Sequence, residues 1–397
     1  MTMLRRSGGS ESGRCLRPFL LPRWLAVDLS FISEQSSRSL GQVDRHMISL
    51  FLSGTMLAAM MLMSTCVEPG HAAQHGAGFN FGIDLSSRPL PFDRVVETLQ
   101  TSKANAVKIF RHNAKFLQAV SGVDIHVVAG IANEQIPILA NDYEAAKGYI
   151  SDNIKPFVPA TKIKIIVVGN EANEPYALKF LPQLVAAMRH VHRAVQHFGL
   201  QEQIKVTHPF SFGIMGTSYP PSAGAFQDKH KPMLGELLQF LADTGSPFMI
   251  NIYPFLTVAQ NAEIPLSYAL YQATPEQHQE DGQHKYTNLM DAMVDSTLAA
   301  MEREGFPNLH LEVGEVGWPT GGHALATVEN ARLFNTGLVK HILSKKGTPR
   351  RPGWMQMYIF ALLDEDQKST DIGPFEPFWG VYTMEGVPKY PLDLTSS

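Results

Sequence analysis

The sequence predicts a single (β/α)8 barrel, and three observations carry that prediction. Eight short β-type runs alternate strictly with amphipathic helical stretches from about residue 79 to the end. Parallel strands need crossover connections, and eight strand–helix units close naturally into a barrel. The first run leads into Gly82-Ile83-Asp84-Leu85-Ser86, which is not a Gly-rich phosphate turn, so an open doubly wound sheet is the weaker alternative. No internal repeat or low-complexity linker divides residues 79–397, which read as one domain.

The elements follow in order. Strand one is expected at residues 81–85, followed by Phe92, Val95, Val96 and Leu99 at helical spacing. Strands two to four are expected at 106–110, 124–131 and 163–170, with helices around 114–120, 142–151 and 181–198. In the last of these helices Leu184, Met188, Val191 and Val195 fall on one face. Strands five and six are expected at 204–210 and 247–253, separated by a loop rich in Gly, Pro and Ser and by a helix carrying Leu234, Leu237, Leu238 and Leu241. Strands seven and eight, at 309–316 and 355–362, complete the count, with helices at 288–304 and 327–344 around strand seven.

Composition narrows the function. The chain has 397 residues, 33 Lys and Arg against 37 Asp and Glu, and 18% charged residues, a balance that removes the usual grounds for nucleic-acid binding or disorder. Residues 1–46 carry many Arg and Ser with no apolar period and are expected to be an unstructured extension. Residues 47–72 read as a secretory signal, with an apolar run at 48–63 and small residues at Gly70 and Ala72; an uncleaved signal anchor is the alternative. Cleavage there removes both Cys15 and Cys66 and leaves 325 residues with 26 basic and 32 acidic side chains. Such a secreted chain has no disulfide to rely on, and its stability must come from a large core. The 15 His include no His-Glu-X-X-His and no helical pair with a nearby third ligand, so neither a metal nor a cofactor is expected.

In a barrel of this kind, reactive side chains gather at the C-terminal ends of the strands. Strand four runs through Val167-Val168 into Gly169-Asn170-Glu171, and strand seven through Val313-Gly314-Glu315 into Val316-Gly317-Trp318-Pro319. Burying a carboxylate at a strand end is costly unless something pairs or uses it, so two at one face suggest a reacting pair. Strand seven also holds Glu312. If Leu309, Leu311, Val313 and Glu315 share the inward parity, Glu315 reaches the barrel mouth and Glu312 points toward the helices.

Four motifs now stand in order: Val168-Gly169-Asn170-Glu171, Asn251-Ile252-Tyr253-Pro254-Phe255, Glu315-Val316-Gly317-Trp318-Pro319, and residues 360–368, reading Phe-Ala-Leu-Leu-Asp-Glu-Asp-Gln-Lys. Each lies at the end of an expected strand. On these residues the chain resembles glycoside hydrolase family 17, in its plant-type glucan endo-1,3-β-glucosidase form, from about Phe81 to Pro391. The resemblance implies retaining hydrolysis of β-1,3-glucan, with Glu171 as general acid and base and Glu315 as nucleophile. That chemistry needs two carboxyls about 5 Å apart, one protonated and one ionised.

The resemblance further implies substrate contacts at Asn170, Tyr253, Glu365, Lys368, Glu376 and, after the third strand, Asn133. Trp318, Phe255, Phe360 and Trp379 are candidate platforms for the apolar face of a sugar, with core packing the alternative for each. The partner is a β-glucan polysaccharide or oligosaccharide, and the protein is expected to be a secreted, wall-directed monomer. The amino-terminal half departs from the family pattern. Asp84 and Leu85 stand where Asn and Tyr are usual, Lys108-Ile109-Phe110-Arg111 stands for Arg-X-Tyr-Asp, and Gly314 replaces a Ser. Arg111 and the two lost phenol hydroxyls are expected to alter the cleft floor. Transglycosylation through the same intermediate, or glucan binding by an impaired cleft, are the competing functions.

Overall fold

The structure, a computed structural model, describes residues 77–394. The expected extension, the signal segment, Cys15 and Cys66 lie outside the described residues. Eight strands form the barrel: β1 (Ala77–Phe81), β2 (Ala106–Ile109), β3 (His126–Ile131), β4 (Lys162–Val168), β5 in two pieces (Lys205–Thr207 and Pro209–Ser211), β6 (Phe248–Asn251), β7 (Leu311–Val316) and β8 (Met357–Ile359). All pair in parallel, in the order β5-β4-β3-β2-β1-β8-β7-β6-β5. His208 divides β5, whose first piece pairs with β4 and whose second pairs with β6, so one strand closes the ring from both sides.

Helices α1 (Phe92–Thr101), α2 (Ala114–Ala119), α4 (Tyr143–Asn153) and α5 (Leu184–His197) lie close to where the sequence predicts them, and between α2 and α4 stands a further helix that it does not, α3 (Ile136–Asn141). The buried face of α5 carries Leu184, Met188, Val191 and Val195. Beyond β8 no α-helix follows among the described residues; a short 3-10 turn, Glu376–Phe378, and irregular chain take its place. No helix among the described residues is long and apolar enough to cross a membrane.

Strand one begins four residues earlier than the sequence suggests. Its period explains why: Ala77, Phe79 and Phe81 join the core between sheet and helices, while Gly78 and Asn80 turn toward the barrel axis. A Cβ on Gly78 would lie 2.7 Å from the ring of Tyr358, so only glycine fits against that ring. Ile83 and Asp84 form a turn beyond the strand, and Leu85 after them lines the mouth.

Two layers of packing result. A continuous apolar core fills the space between strands and helices. Inside the barrel a separate plug forms from Ala106, Val128, Ile165, Val167, Met249 and Tyr358. Toward the strand ends this plug gives way to the buried polar residues Asn80, Lys108, Asn251 and Glu315. Burying such groups is tolerable only where they satisfy one another, and their mutual bonding builds the site.

Candidate active site

Glu315 is the hub of the floor. Its Oε1 accepts from Lys108 Nζ at 2.8 Å and its Oε2 from the Tyr253 hydroxyl at 2.6 Å. Lys108, with a side chain 0% exposed, also donates to Asn80 Oδ1 at 3.1 Å and lies 4.1 Å from the centre of the Phe110 ring. Asn80 in turn donates from Nδ2 to the carbonyls of Gly314 and Tyr358. A buried carboxylate thus holds one ammonium and one phenol, which is how burial of a charge becomes affordable. Burial and the nearby Glu315 and Glu171 raise the Tyr253 hydroxyl well above its ordinary value, so it remains a donor.

The strand parity that the sequence suggests for β7 is reversed. Leu311, Val313 and Val316 join the barrel–helix core, whereas Glu312 points inward and accepts from Tyr358 OH at 3.3 Å. Glu315 nonetheless reaches the mouth because of a bulge. Glu312 pairs with Met249 and Glu315 with Asn251, so three steps on β7 match two on β6. The extra residue falls at Gly314, where a Cβ would approach Asn251 Oδ1 to 2.7 Å. Burial raises the Glu312 carboxyl to about 7, and it sits among the packing below the cleft.

Glu171 stands across the mouth from Glu315. Its Oε1 accepts from Asn251 Nδ2 at 2.8 Å and its Oε2 from the Tyr176 hydroxyl at 2.6 Å. Its backbone is left-handed, with φ 51°, a conformation that L-residues hold only when their surroundings enforce it. The enforcement is visible on three sides. Asn133 brackets the peptide of Asn170, accepting from its N–H at 2.8 Å and donating to its carbonyl at 2.9 Å. His208 bridges Val168 O at 2.7 Å and the Ala172 N–H at 3.2 Å, and the Glu171 N–H donates to Pro209 O.

The Glu171 side chain opens onto the cleft but protein surrounds it closely. Burial, and then the negative charge of Glu315, raise its carboxyl to about 7 against the opposing hydrogen bonds of Tyr176 and Asn251. A third group of charges forms the wall beyond β8. Lys368 Nζ lies 2.9 Å from Glu376 Oε2, 4.0 Å from Glu365 Oε2 and 3.9 Å from the centre of the Phe360 ring. Burial raises Glu365 to about 7, with the charge of Lys368 pulling the other way. These elements enclose a cleft of about 800 Å3.

Of the residues singled out from sequence, Asn170, Glu171, Tyr253, Glu315, Glu365, Lys368, Glu376, Phe360 and Trp379 line this cleft together. Asn133 does not reach it and acts on the backbone beneath Asn170. Trp318 and Phe255 are corrected outright: both are 0% exposed, and neither offers a face to a sugar. Trp318 donates to Leu325 O at 2.8 Å and packs between Phe255 and Phe334, so it braces the loop after β7. Arg111 is likewise off the floor, pairing with Asp84 at 3.4 Å in the solvent, although Leu85 and Phe110 do line the cleft.

The sequence assigns no site role to Lys108, Asn80, Asn251 or Tyr176. A lone Lys amid Ala106-Val107 and Ile109 is a signal for the first, and Asn251 opens one of the four motifs; nothing local marks Asn80 or Tyr176. Among the described residues, no group of three or more His, Cys, Asp or Glu is arranged to hold a metal ion.

Comparisons with known proteins agree with this geometry. The model of glycosyl hydrolases family 17 matches residues 77–394. A glucan endo-1,3-β-glucosidase of Vitis vinifera is 36% identical over 346 residues, 86% of this chain and 96% of that one. The basic vacuolar isoform of the enzyme so named in Nicotiana tabacum is 33% identical over 353 residues, 88% of this chain and 93% of its own. Among solved structures, a β-1,3-glucanase and allergen of Cryptomeria japonica pollen is 38% identical with a TM-score of 0.79, covering 81% of this chain and 100% of that one. With a parallel barrel, two carboxyls facing one cleft and a family match across the whole described region, the chain belongs to glycosyl hydrolases family 17 and is a glycosidase.

Proposed function

We propose that this protein is a retaining endo-hydrolase of (1→3)-β-D-glucan, with Glu171 as general acid and base and Glu315 as nucleophile. The observation that carries the reading is the unequal treatment of the two carboxyls. Glu315 is held in place by an ammonium and a phenol, each donating to one of its carboxylate oxygens. Glu171 is raised to about 7 by burial and by Glu315, which favours its protonated form near neutrality. A raised carboxyl is suited to act as the acid, and a carboxylate fixed by two donors at the cleft floor is placed to act as the nucleophile.

In the first step Glu315 attacks the anomeric carbon while Glu171 gives its proton to the departing oxygen, leaving a glycosyl ester on Glu315. The ester carries no charge, so the repulsion that raised Glu171 disappears. Glu171 then takes a proton from water, which attacks the same carbon and frees Glu315. The β-1,3 linkage is supported by the names of the relatives, and the size of the cleft suits an oligosaccharide better than a single sugar. The side chains of Asn170 and Trp379 line the cleft and are placed to touch the sugar chain. The same reading has the enzyme secreted to act on wall glucan as a monomer.

The test compares β-1,3, mixed β-1,3-1,4 and β-1,6 glucans side by side, with product sizes followed over time. Internal cleavage of the β-1,3 chain, with shorter β-anomeric products, is expected. Products longer than the substrate would replace hydrolysis by transglycosylation, and binding without new reducing ends would replace catalysis by recognition.

A further inference from the structure

We propose that Tyr176 is a latch on the acid: its hydroxyl occupies the place of the leaving-group oxygen, and a productive substrate must displace it. The inference rests on the reading of Glu171 as general acid. A carboxyl has two oxygens, and here both are engaged. Oε1 is bound by Asn251, the last residue of β6, itself 1% exposed and fixed in the barrel wall. Proton delivery is therefore left to Oε2, the oxygen that Tyr176 covers at 2.6 Å. An acid must come within about 2.6–3.2 Å of the atom it protonates, and the Tyr176 hydroxyl oxygen sits at that distance. The phenol and a glycosidic oxygen cannot both stand there.

The two anchors differ in how readily they yield. Asn251 is part of the sheet, whereas Tyr176 belongs to the loop after β4 and is 60% exposed, its ring forming part of the cleft wall. Glu174 and Ala177 close turns on either side of it, through N–H bonds to Glu171 O and Glu174 O. The loop therefore presents Tyr176 to Glu171 from the solvent side, where a change of side-chain rotamer suffices to release it. A substrate that fills the leaving-group side of the cleft does two things at once. It takes the position facing Oε2, and it removes a donor that favours ionised Glu171. Binding of the sugar chain thus restores the acid's proton, and an empty cleft keeps the acid partly discharged.

The experiment measures pH profiles of both kcat/KM and kcat for the wild type, Tyr176→Phe and Tyr176→Leu on a laminari-oligosaccharide. The first profile reports the free enzyme and the second the complex. Removing the hydroxyl should move the alkaline limb of kcat/KM upward by about one pH unit, while the limb of kcat stays in place. Both variants should behave alike, because the effect belongs to the hydroxyl. An unmoved kcat/KM limb, a parallel shift of both limbs, or a shift in the Leu variant alone would overturn the latch. Failure of the underlying reading has a separate signature. Glu171→Ala should still cleave an activated aryl glycoside and give a β-glycosyl azide with added azide; if it does not, the acid assignment falls and the latch with it.

Discussion

Replacing Lys108 with Met tests how the floor of the cleft is held together. The ammonium sits 2.8 Å from Glu315 and 3.1 Å from Asn80, and side-chain exposures of 0% for Lys108 and 6% for Glu315 leave solvent no way to compensate for its loss. Breaking one side of a buried pair costs about 3–5 kcal/mol, because the other charge remains without its partner. At roughly 2 °C per kcal/mol for a domain of this size, the variant should melt about 6–10 °C lower at pH 7. The double variant Lys108→Met with Glu315→Gln removes both charges and should recover most of that loss, a coupling readable from the four melting curves. A single variant as stable as the wild type, or a double variant less stable than the single one, would refute the pairing as the support of the floor.

Other consequences are equally direct. Glu171 must be protonated to act as acid, and its carboxyl is raised to about 7, so the alkaline limb of kcat/KM should fall near pH 7 and vanish with the activity in Glu171→Gln. His208 is buried neutral and lowered to about 4, so the unfolded chain takes the proton first as pH falls. Its contribution is whole above about pH 6.5 and is lost toward pH 4, by roughly 3 kcal/mol in all. Acid melts of His208→Gln should show a shallower decline than those of the wild type. Trp318→Ala should lower stability by about 3–5 kcal/mol and leave KM unchanged, because its ring faces only the core.

Residues that announce themselves by type and strand position were legible in the sequence. Glu171 and Glu315 ended apolar runs, and the alternation of strands and helices gave the barrel. Glu315 reaches the mouth in place of Glu312 for a reason that unbroken alternation along β7 does not supply: the bulge at Gly314 reverses the parity of everything before it. Bulges depend on the neighbouring strand, and no pattern within β7 could disclose one. Trp318 and Phe255 failed as sugar platforms for a related reason. Phe255 stands in the first turn of the helix Pro254–Gln260 and Trp318 in the loop after β7, past the alternation of either strand, and both pack into the core around the barrel. Lys108 and Asn251 matter through partners 207 and 80 residues away, pairings that exist only once the barrel closes, whereas Tyr176 matters through the turns of its own loop, which bring it back to Glu171 5 residues earlier. His208 is a case of its own: a histidine in a strand pattern looks like a candidate for chemistry, yet here it ties the chain around Glu171 by two hydrogen bonds.

The most direct test of the central claim is covalent. Incubation with a 2-deoxy-2-fluoro laminaribiosyl fluoride, which forms the glycosyl ester quickly and releases it slowly, should add one sugar adduct per chain. After proteolysis, mass spectrometry should find that adduct on the peptide bearing Glu315, and Glu315→Gln should take up none. An adduct on Glu171, Glu365 or any other carboxyl, or an active enzyme that forms no adduct while inverting the anomeric centre, would contradict the account.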